Sequence, residues 1–457
     1  MVVATAFVGV TAVSAAPNSA DDATGKRPPA CSSTLPPTPP PLTPTTVTTI
    51  GQAYFCVFAN YFSGPVLDSR GMLVPAFAAL TQELQRRGLD QAGATLPALN
   101  GDKDADWAAF SRVYEQVSAR LPDAATKQTV AEVTLKALVA SLNDNHARWQ
   151  RPTPGAGIPV GVRFSGTRGS GIDPAATAPV FVTEVAPGSG ADNAGIKPGD
   201  EILAVNDVPT VIAGLISEPV LRWLVESPEG KPMKITVRRP VTNETSTKTV
   251  TPVPFQGPQR QVESKLLPGD VAYVKLPGFG NGLADRVLQA IADLRKDRTL
   301  RGVVLDLRGN GGGSPQEVSR LLGGWTHSKA TSYFCDVHDK CTPNVADDTV
   351  PLVNLPLAVL TDRNCASACD SFSSTVKDLK LGALVGTRTA GAVSGPGAPY
   401  LLDDGTVIGL PRLHEIGANK EVVDTVGVAP DHLAPITSGD LSAGRDPGVA
   451  KALTLFK

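Results

Sequence analysis

Two stretches of this chain carry residue types and spacings that can do chemistry. The first is Arg301-Gly302-Val303-Val304-Leu305-Asp306-Leu307-Arg308-Gly309-Asn310-Gly311-Gly312-Gly313. A buried apolar strand runs into a glycine-rich turn, where backbone N–H groups are unshielded by side chains. Such amides can hold a phosphate or the oxyanion of a tetrahedral intermediate. The phosphate reading fails on detail, because there is no GxxxxGK[ST] pattern and no acidic residue placed as in a dinucleotide site. The second stretch is Leu360-Thr361-Asp362-Arg363-Asn364-Cys365-Ala366-Ser367-Ala368-Cys369-Asp370. A strand ends in a tight turn and small residues open a helix, so Ser367 would present its Oγ beside a helix N-terminus. That is the logic of a nucleophile elbow without the GxSxG letters. Taken alone, a Ser at such a turn is more often a plain N-cap.

The elements that must position these residues follow from the hydrophobic pattern. From about residue 264 strands and helices alternate. Strands are expected at 271–276, 303–307, 357–360 and 383–385, with helices at 283–296, 316–322 and 371–379. In the first helix Val287, Ile291 and Leu294 point inward. Strands at this spacing with intervening helices indicate an α/β fold built from βαβ units with right-handed crossovers. Residues 157 to about 254 differ in character, with β-runs at 160–164, 180–185 and 235–238 and a helix at 216–226. Ahead of them, helical patterning runs irregularly from Val47 to Leu142. Its clearest piece, 126–142, puts Ala131, Leu135, Leu138 and Leu142 on one face and stops at Asn143-Asp144-Asn145-His146.

Together the two chemical stretches resemble the C-terminal-processing (tail-specific) serine peptidases and their relatives, the tricorn core protease and the interphotoreceptor retinoid-binding proteins. "GVVLDLRGNGGG" is similar to the strand-and-glycine motif of that family, and "DRNCASAC" to its nucleophile segment. The likeness runs from about residue 105 to 433 and implies a crotonase-like ββα core. It makes Ser367 the nucleophile, with the N–H of Ala368 and that of Gly311 or Gly312 as the oxyanion hole. Tail-specific members use a Lys base in a Thr-Phe-Gly-Lys-like run. Here that run is Thr389-Ala390-Gly391-Ala392, so the position holds Ala392, and Lys377 and Lys380 are poor substitutes.

The tricorn branch suggests a different base. Leu142-Asn143-Asp144-Asn145-His146-Ala147-Arg148 resembles the segment that supplies its catalytic His. Val423-Asp424-Thr425-Val426-Gly427-Val428-Ala429-Pro430-Asp431 resembles the closing "GVxPD" motif, with Asp424 where the branch has a Glu. The implied triad is Ser367, His146 and Asp424. Asp370, Glu415, Glu421 and Asp431 compete for the carboxylate role, and His414 and His432 for the base. A His base implies activity rising with pH through about 6.5, shifted upward if Asp424 is ionised beside it. The family likeness thus leads to a serine endopeptidase acting on peptides or protein C-terminal regions. The alternatives are a catalytically silent peptide or small-ligand binder on the same scaffold, since retinoid-binding relatives keep the fold without proteolysis, and an esterase.

A second resemblance sits inside the first. "AGIKPGDEILAVND", residues 194–207, resembles the PDZ segment in which a short helix, a Gly-Asp turn and a strand follow in order. By that likeness Val160, Gly161, Val162, Arg163 and Phe164 form the carboxylate-binding loop, where a peptide C-terminus is captured and adds a strand to the sheet edge.

Composition sets the outer limits. The chain has 457 residues, is 42% hydrophobic and carries a formal net charge of −2, which gives no reason to expect a nucleic-acid partner. No apolar stretch long enough to span a bilayer follows the first twenty residues, so no integral membrane span is expected in the mature chain. Residues 1–16 resemble a secretory signal, with Val13-Ser14-Ala15 as a small-residue cleavage site, although no Lys or Arg precedes Lys26. Eight prolines between Arg27 and Pro44 read as an extended linker. The expected division is a signal-like segment 1–16, a Pro-rich linker 17–46, a helical segment 47–156, a PDZ domain 157–255 and a peptidase core 256–457. Six cysteines favour a secreted or cell-envelope exterior location. Cys335 and Cys341 look like a small disulfide loop, and Cys31 and Cys56 could staple the Pro-rich arm to the first helix. Cys365 and Cys369 could bridge only across a non-helical turn, and otherwise reach Cys335 or Cys341 or stay reduced. Neither a cofactor nor a metal is implied.

Overall fold

Apolar runs of Val and Leu in the second half of the chain lie side by side as the centre of a six-stranded sheet. Its order is Glu263–Leu267, Val271–Lys275, Gly302–Asp306, Leu357–Thr361, Ala383–Gly386 and His432–Leu433. The first pair is antiparallel and the others are parallel. Gly302–Asp306 and Leu357–Thr361 are buried at every residue. Central parallel strands are covered on both faces, so their sequences read as unbroken apolar runs rather than alternating ones. Helices Leu283–Arg295, Pro315–Leu322 and Ala368–Asp378 connect and cover these strands. The first buries Val287 and Ile291, with Leu294 half-covered at its edge. This is the expected α/β core, in a computed structural model that describes residues 28–38, 40–151, 157–169, 171–173, 175–255 and 261–456.

The helical N-terminal segment comprises Val47–Asn60, Ser69–Arg86, Lys103–Ala119 and Ala124–Ala140. In the last helix Ala131, Leu135 and Leu138 are fully buried. Their core continues through Tyr400, Leu402, Ile408 and Leu410, which sit on or beside a small sheet of Arg148–Gln150, Val407–Pro411 and Gly397–Leu401. Periodicity could not find this sheet. One strand has three residues, and its partners come from the far end of the chain.

The Pro-rich arm does not behave as a spacer over its described part. Cys31 is bridged to Cys56, Ser32 pairs with Leu401, and Thr45 Oγ1 donates to the Asp404 carboxylate at 2.7 Å. Proline fixes φ in solution and on a surface alike, and here the apolar sheet edge and the disulfide hold the extended arm down. The signal-like segment 1–16 lies outside the described residues.

The inserted β domain packs Val160, Phe164, Val182, Ile202, Leu221, Ile235 and Val237 into its own core. A hairpin of Thr167–Arg168 and Gly171–Ile172 reaches out of it and grips the core. Gly169 N–H donates to Arg363 O, and Thr167 Oγ1 to Asn364 Oδ1 at 2.9 Å. Arg168 donates to the carbonyls of Ala390 and Thr425. Arg363 Nε in turn bonds the buried Asp173 carboxylate at 2.7 Å. Burial alone would raise the Asp173 pKa, but hydrogen bonds from Arg363 and from the Ala175 N–H overcome it and hold the carboxyl below its ordinary value.

Because Asp173 is the carboxylate paired with Arg363 among the described residues, Asp173→Ala should cost about 1.5–3 kcal/mol, the range for a hydrogen bond to a charged group. Urea denaturation checks the magnitude. With the Asp173 carboxyl held low in the folded state, the contribution is present above the unfolded carboxyl pKa and is lost as pH falls through the folded one.

Candidate functional site

The site lies where the parallel strands Gly302–Asp306 and Leu357–Thr361 end side by side, the usual location of ligand chemistry in open α/β sheets. Ser367 is the residue immediately before the Ala368–Asp378 helix, with φ 58° and ψ −120°. A non-glycine residue in this region is strained and persists only when its surroundings over-determine it. Three features do so. Asp370 Oδ2 accepts the Ser367 N–H at 3.0 Å. Ala366 N–H donates to Asn310 O at 3.0 Å. Cys365 and Cys369, both fully buried, form a disulfide that brackets the serine. The helix starts only at Ala368, so Cys365 lies off the helix and the bridge closes across the turn. This corrects the alternative of pairing with Cys335 or Cys341, which are bonded to each other, while Cys31 pairs with Cys56.

The glycine loop abuts this turn. A side chain at Gly312 would collide with Ser367 Cβ at 2.6 Å and lie 3.0 Å from Ala368 N. At Gly313 it would meet Phe279 O at 2.3 Å, and both residues take positive φ. Asn310 is fully buried and ties the loop together. Its Nδ2 donates to Leu276 O at 3.0 Å and its Oδ1 accepts the Gly312 N–H at 2.9 Å. The Gly312 N–H is thereby engaged inside the loop.

Asp370 links the Ser367 turn to the next segment. Besides Ser367, it accepts Gly391 N–H at 2.9 Å and Ala392 N–H at 3.0 Å. Burial pushes its carboxyl up, against the pull of these donors. The neighbouring Val393 N–H donates to Asp424 Oδ1 at 3.2 Å, and Asn145 Nδ2 donates to the same oxygen at 3.2 Å. A relay of hydrogen bonds thus runs from Ser367 through Asp370, residues 391–393 and Asp424 to the loop that carries His146.

His146 is half-buried in that loop. Its backbone N–H is held by Asp144 Oδ1 at 2.7 Å, and the other oxygen of Asp144 accepts the Tyr61 hydroxyl at 3.0 Å. The ring Nδ1 is buried without a hydrogen-bond partner among the described residues. Burial lowers the His146 pKa, Asp144 opposes that shift, and the positive charge of Arg148 adds to it. The upward shift expected from Asp424 is therefore reversed. Asp424 bonds Asn145 rather than the ring, and burial pushes its own carboxyl up.

The competing residues are engaged elsewhere. Glu415 accepts Ser371 Oγ at 2.6 Å, and burial pushes it up to about 7. Glu421 accepts Ser374 Oγ, and Asp431 accepts Leu384 N–H. His414 stacks on Phe62 at 5.3 Å, and His432 sits on the edge strand of the main sheet. Lys377 donates to Ala429 O at 2.6 Å. Sequence reading assigned no role to Asn310, Asn145, Asp144 or Arg148. All four lie inside the quoted motifs, but the partners of Asn310, Asn145 and Asp144 are main-chain or distant in sequence, and Arg148 acts on His146 through its charge.

In the inserted domain Val160, Val162 and Phe164 turn inward. Val160 N–H donates to Leu224 O at 3.0 Å, and the strand Val162–Phe164 pairs on one edge with Val182–Val185. A Cβ at Gly161 would strike Ser189. Arg163 Nη1 reaches out of the domain to Gly309 O at 2.9 Å.

Residues 270–434 match peptidase family S41, and residues 181–239 match a PDZ domain. Carboxyl-terminal-processing peptidase 2, chloroplastic, of Arabidopsis thaliana is 28% identical over 321 residues, covering 66% of this chain and 60% of its own length. This chain therefore spans less than two thirds of that relative. Tricorn protease homolog 1 of Streptomyces coelicolor is 28% identical over 303 residues, covering 62% of this chain and 25% of its own. Among solved structures, mature CPAF complexed with lactacystin shares the fold, with a TM-score of 0.55 and 14% identity over 90% of this chain and 97% of that one.

Two outcomes follow from the geometry. NMR titration of the His146 ring should give a midpoint below 6.5, and Arg148→Gln should raise it by removing a like charge. A midpoint above 7 would mean that a carboxylate pairs with the ring. Separately, Cys365→Ala/Cys369→Ala should lose about 2 kcal/mol, the chain-entropy value for so short a loop. At a temperature where that variant is still folded by circular dichroism, Ser367 should react with a fluorophosphonate at least tenfold more slowly.

Proposed function

We propose that this chain, which carries a peptidase family S41 domain and a PDZ domain, is a secreted serine endopeptidase that cleaves peptides or protein C-terminal regions through an acyl-enzyme. The observation that carries this reading is the strained Ser367 turn, packed so closely on Gly312 that a Cβ there would strike Ser367 Cβ and crowd Ala368 N. Ser367 Oγ attacks the scissile carbonyl. The developing oxyanion is met by the N–H of Ala368, at the positive end of its helix, and by that of Gly311, because the Gly312 N–H already serves Asn310. Gly312 contributes by lacking a side chain.

His146 takes the serine proton and returns it to the leaving amine. For that it needs a partner at Nδ1 to fix its tautomer and to stabilise the imidazolium. Asp424 is that partner in the proposed mechanism, and it engages the ring by exchanging the Asn145 amide for the unpaired Nδ1. A low His146 pKa keeps the imidazole in its accepting form at neutral pH. The open edge of Val162–Phe164 and the Gly161 turn take a substrate C-terminus in the PDZ domain. Three disulfides support an oxidising, exterior compartment. No helix among the described residues is long and apolar enough to cross a membrane.

One observation favours the rival reading of a silent binder, namely that Asp424 pairs with Asn145 and not with His146. A fluorophosphonate separates the two. Covalent labelling at Ser367, together with peptide hydrolysis that Ser367→Ala reduces by at least a thousandfold while leaving Tm unchanged, is the outcome expected of the peptidase. A folded, unlabelled protein that hydrolyses nothing would establish the binder. Ester turnover without peptide turnover would make the chain an esterase.

A further inference from the structure

Proton transfer does not account for the cleft into which His146 opens. It has a volume of about 310 Å³ and is lined by His146, Arg148 and Gln150 on one side and by the facing strands on the other. Successive residues of a strand point to opposite faces. Residues 146, 148 and 150 therefore share the cleft face. Trp149 takes the other, packing on the helical core and donating Nε1 to Thr406 Oγ1 at 2.8 Å.

The floor is bare for a sequence reason. Gly409 lies opposite Arg148 in register, with Pro399 beyond it. A Cβ at Gly409 would meet nothing nearer than the carbonyl oxygens of Arg148 and His146 at 3.9 Å. The backbone at Gly409 has no positive φ, so a side chain would be tolerated there, and its absence leaves open space over the sheet.

The charge in that space is one-sided. Among the described residues no carboxylate lines the cleft. Arg151, three residues on, is committed to Glu132, Asp404 and Thr43, whereas Arg148 is exposed and makes no side-chain hydrogen bond or ion pair among the described residues. Its charge is close enough to act on the His146 ring. An unpaired guanidinium beside an amide, in a partly enclosed space, matches a carboxylate in two-pronged geometry.

We propose that this cleft is a substrate subsite for a carboxylate close to the scissile bond, with Arg148 as its counter-charge and Gln150 as a neutral donor. Two sources share this chemistry, a Glu or Asp side chain and the α-carboxylate of a short C-terminal product segment. Placing the subsite next to the scissile bond rests on the reading of His146 as the base. That the cleft binds a carboxylate does not.

The test uses end-capped peptides in which Glu, Gln, Leu or Lys is placed in turn at each position around one cleavage site, with a parallel set bearing a free C-terminal carboxylate. In the intact protein one position should favour Glu over Gln in kcat/KM by at least tenfold, and Arg148→Gln should bring that ratio to about one. Gly409→Leu should fill the cleft and lower the ratio while leaving Arg148 in place. If the preference appears only in the free-acid set and depends on Arg148, the ligand is the terminus. Equal use of Glu and Gln at every position in both sets, a preference for Leu, or a Glu preference that survives Arg148→Gln would overturn the proposal. Titrating the same peptides into Ser367→Ala protein by fluorescence anisotropy keeps this question apart from hydrolysis. Tighter, Arg148-dependent binding of the acidic peptide supports the subsite even if the chain cleaves nothing, and equal binding of acid and amide rejects it.

Discussion

The buried carboxylate of Asp370 is the interaction on which the site depends. It accepts the N–H groups of Ser367, Gly391 and Ala392, so one side chain fixes the start of the Ala368–Asp378 helix and the segment that follows the next strand. Full burial of a carboxyl is costly unless donors converge on it, and here three main-chain amides do so at the positive end of a helix. Two pieces of backbone separated by about one βαβ turn thereby acquire a fixed relation. The residue that the tail-specific likeness would make a lysine, Ala392, belongs to this arrangement through its main chain alone.

The Ser367 turn is held from every side. Asn310 binds it from the glycine loop, the Cys365–Cys369 bridge closes across it, and the hairpin of the inserted domain bonds Arg363 and Asn364 just ahead of it. Such redundancy fits a residue at φ 58°, because a strained conformation survives only where several independent contacts would be lost by relaxing it. The hairpin contacts also mean that the inserted domain and the α/β core share one boundary beside the Ser367 turn. Arg163 on Gly309 O and Arg168 on Ala390 O place two guanidinium groups of that domain directly on the loops flanking Ser367 and Asp424.

Electrostatics around His146 run against the simple triad picture. Burial and Arg148 disfavour the imidazolium, and Asp144 only partly offsets them. The surroundings of His146 thus favour the neutral ring, the form able to accept a proton. The same Arg148 charge gives the adjoining cleft its sign. One residue thus acts on the proton affinity of the His146 ring and on the character of the space beside it.

The sequence by itself determined the parts governed by local rules. The strands 302–306 and 357–361 were legible because doubly covered parallel strands are apolar throughout. The glycine loop was legible because only glycine permits the approach seen at Gly312, and the Ser367 turn because small residues open the helix after a strand. The close spacing of Cys335 and Cys341 suggested their bridge, whereas Cys31–Cys56 was one of several pairings the sequence left open. Tertiary structure decided what depends on partners remote in the chain. The sheet of Arg148–Gln150 with Val407–Pro411 joins residues more than two hundred positions apart, and no periodicity encodes such a pairing. The Cys365–Cys369 bridge required knowing that the helix begins at Ala368. That Asp424 meets Asn145, and that His146 is half-buried beside an arginine unpaired among the described residues, follows from desolvation and from charges brought together by folding, and neither quantity is a property of a residue type or of a spacing.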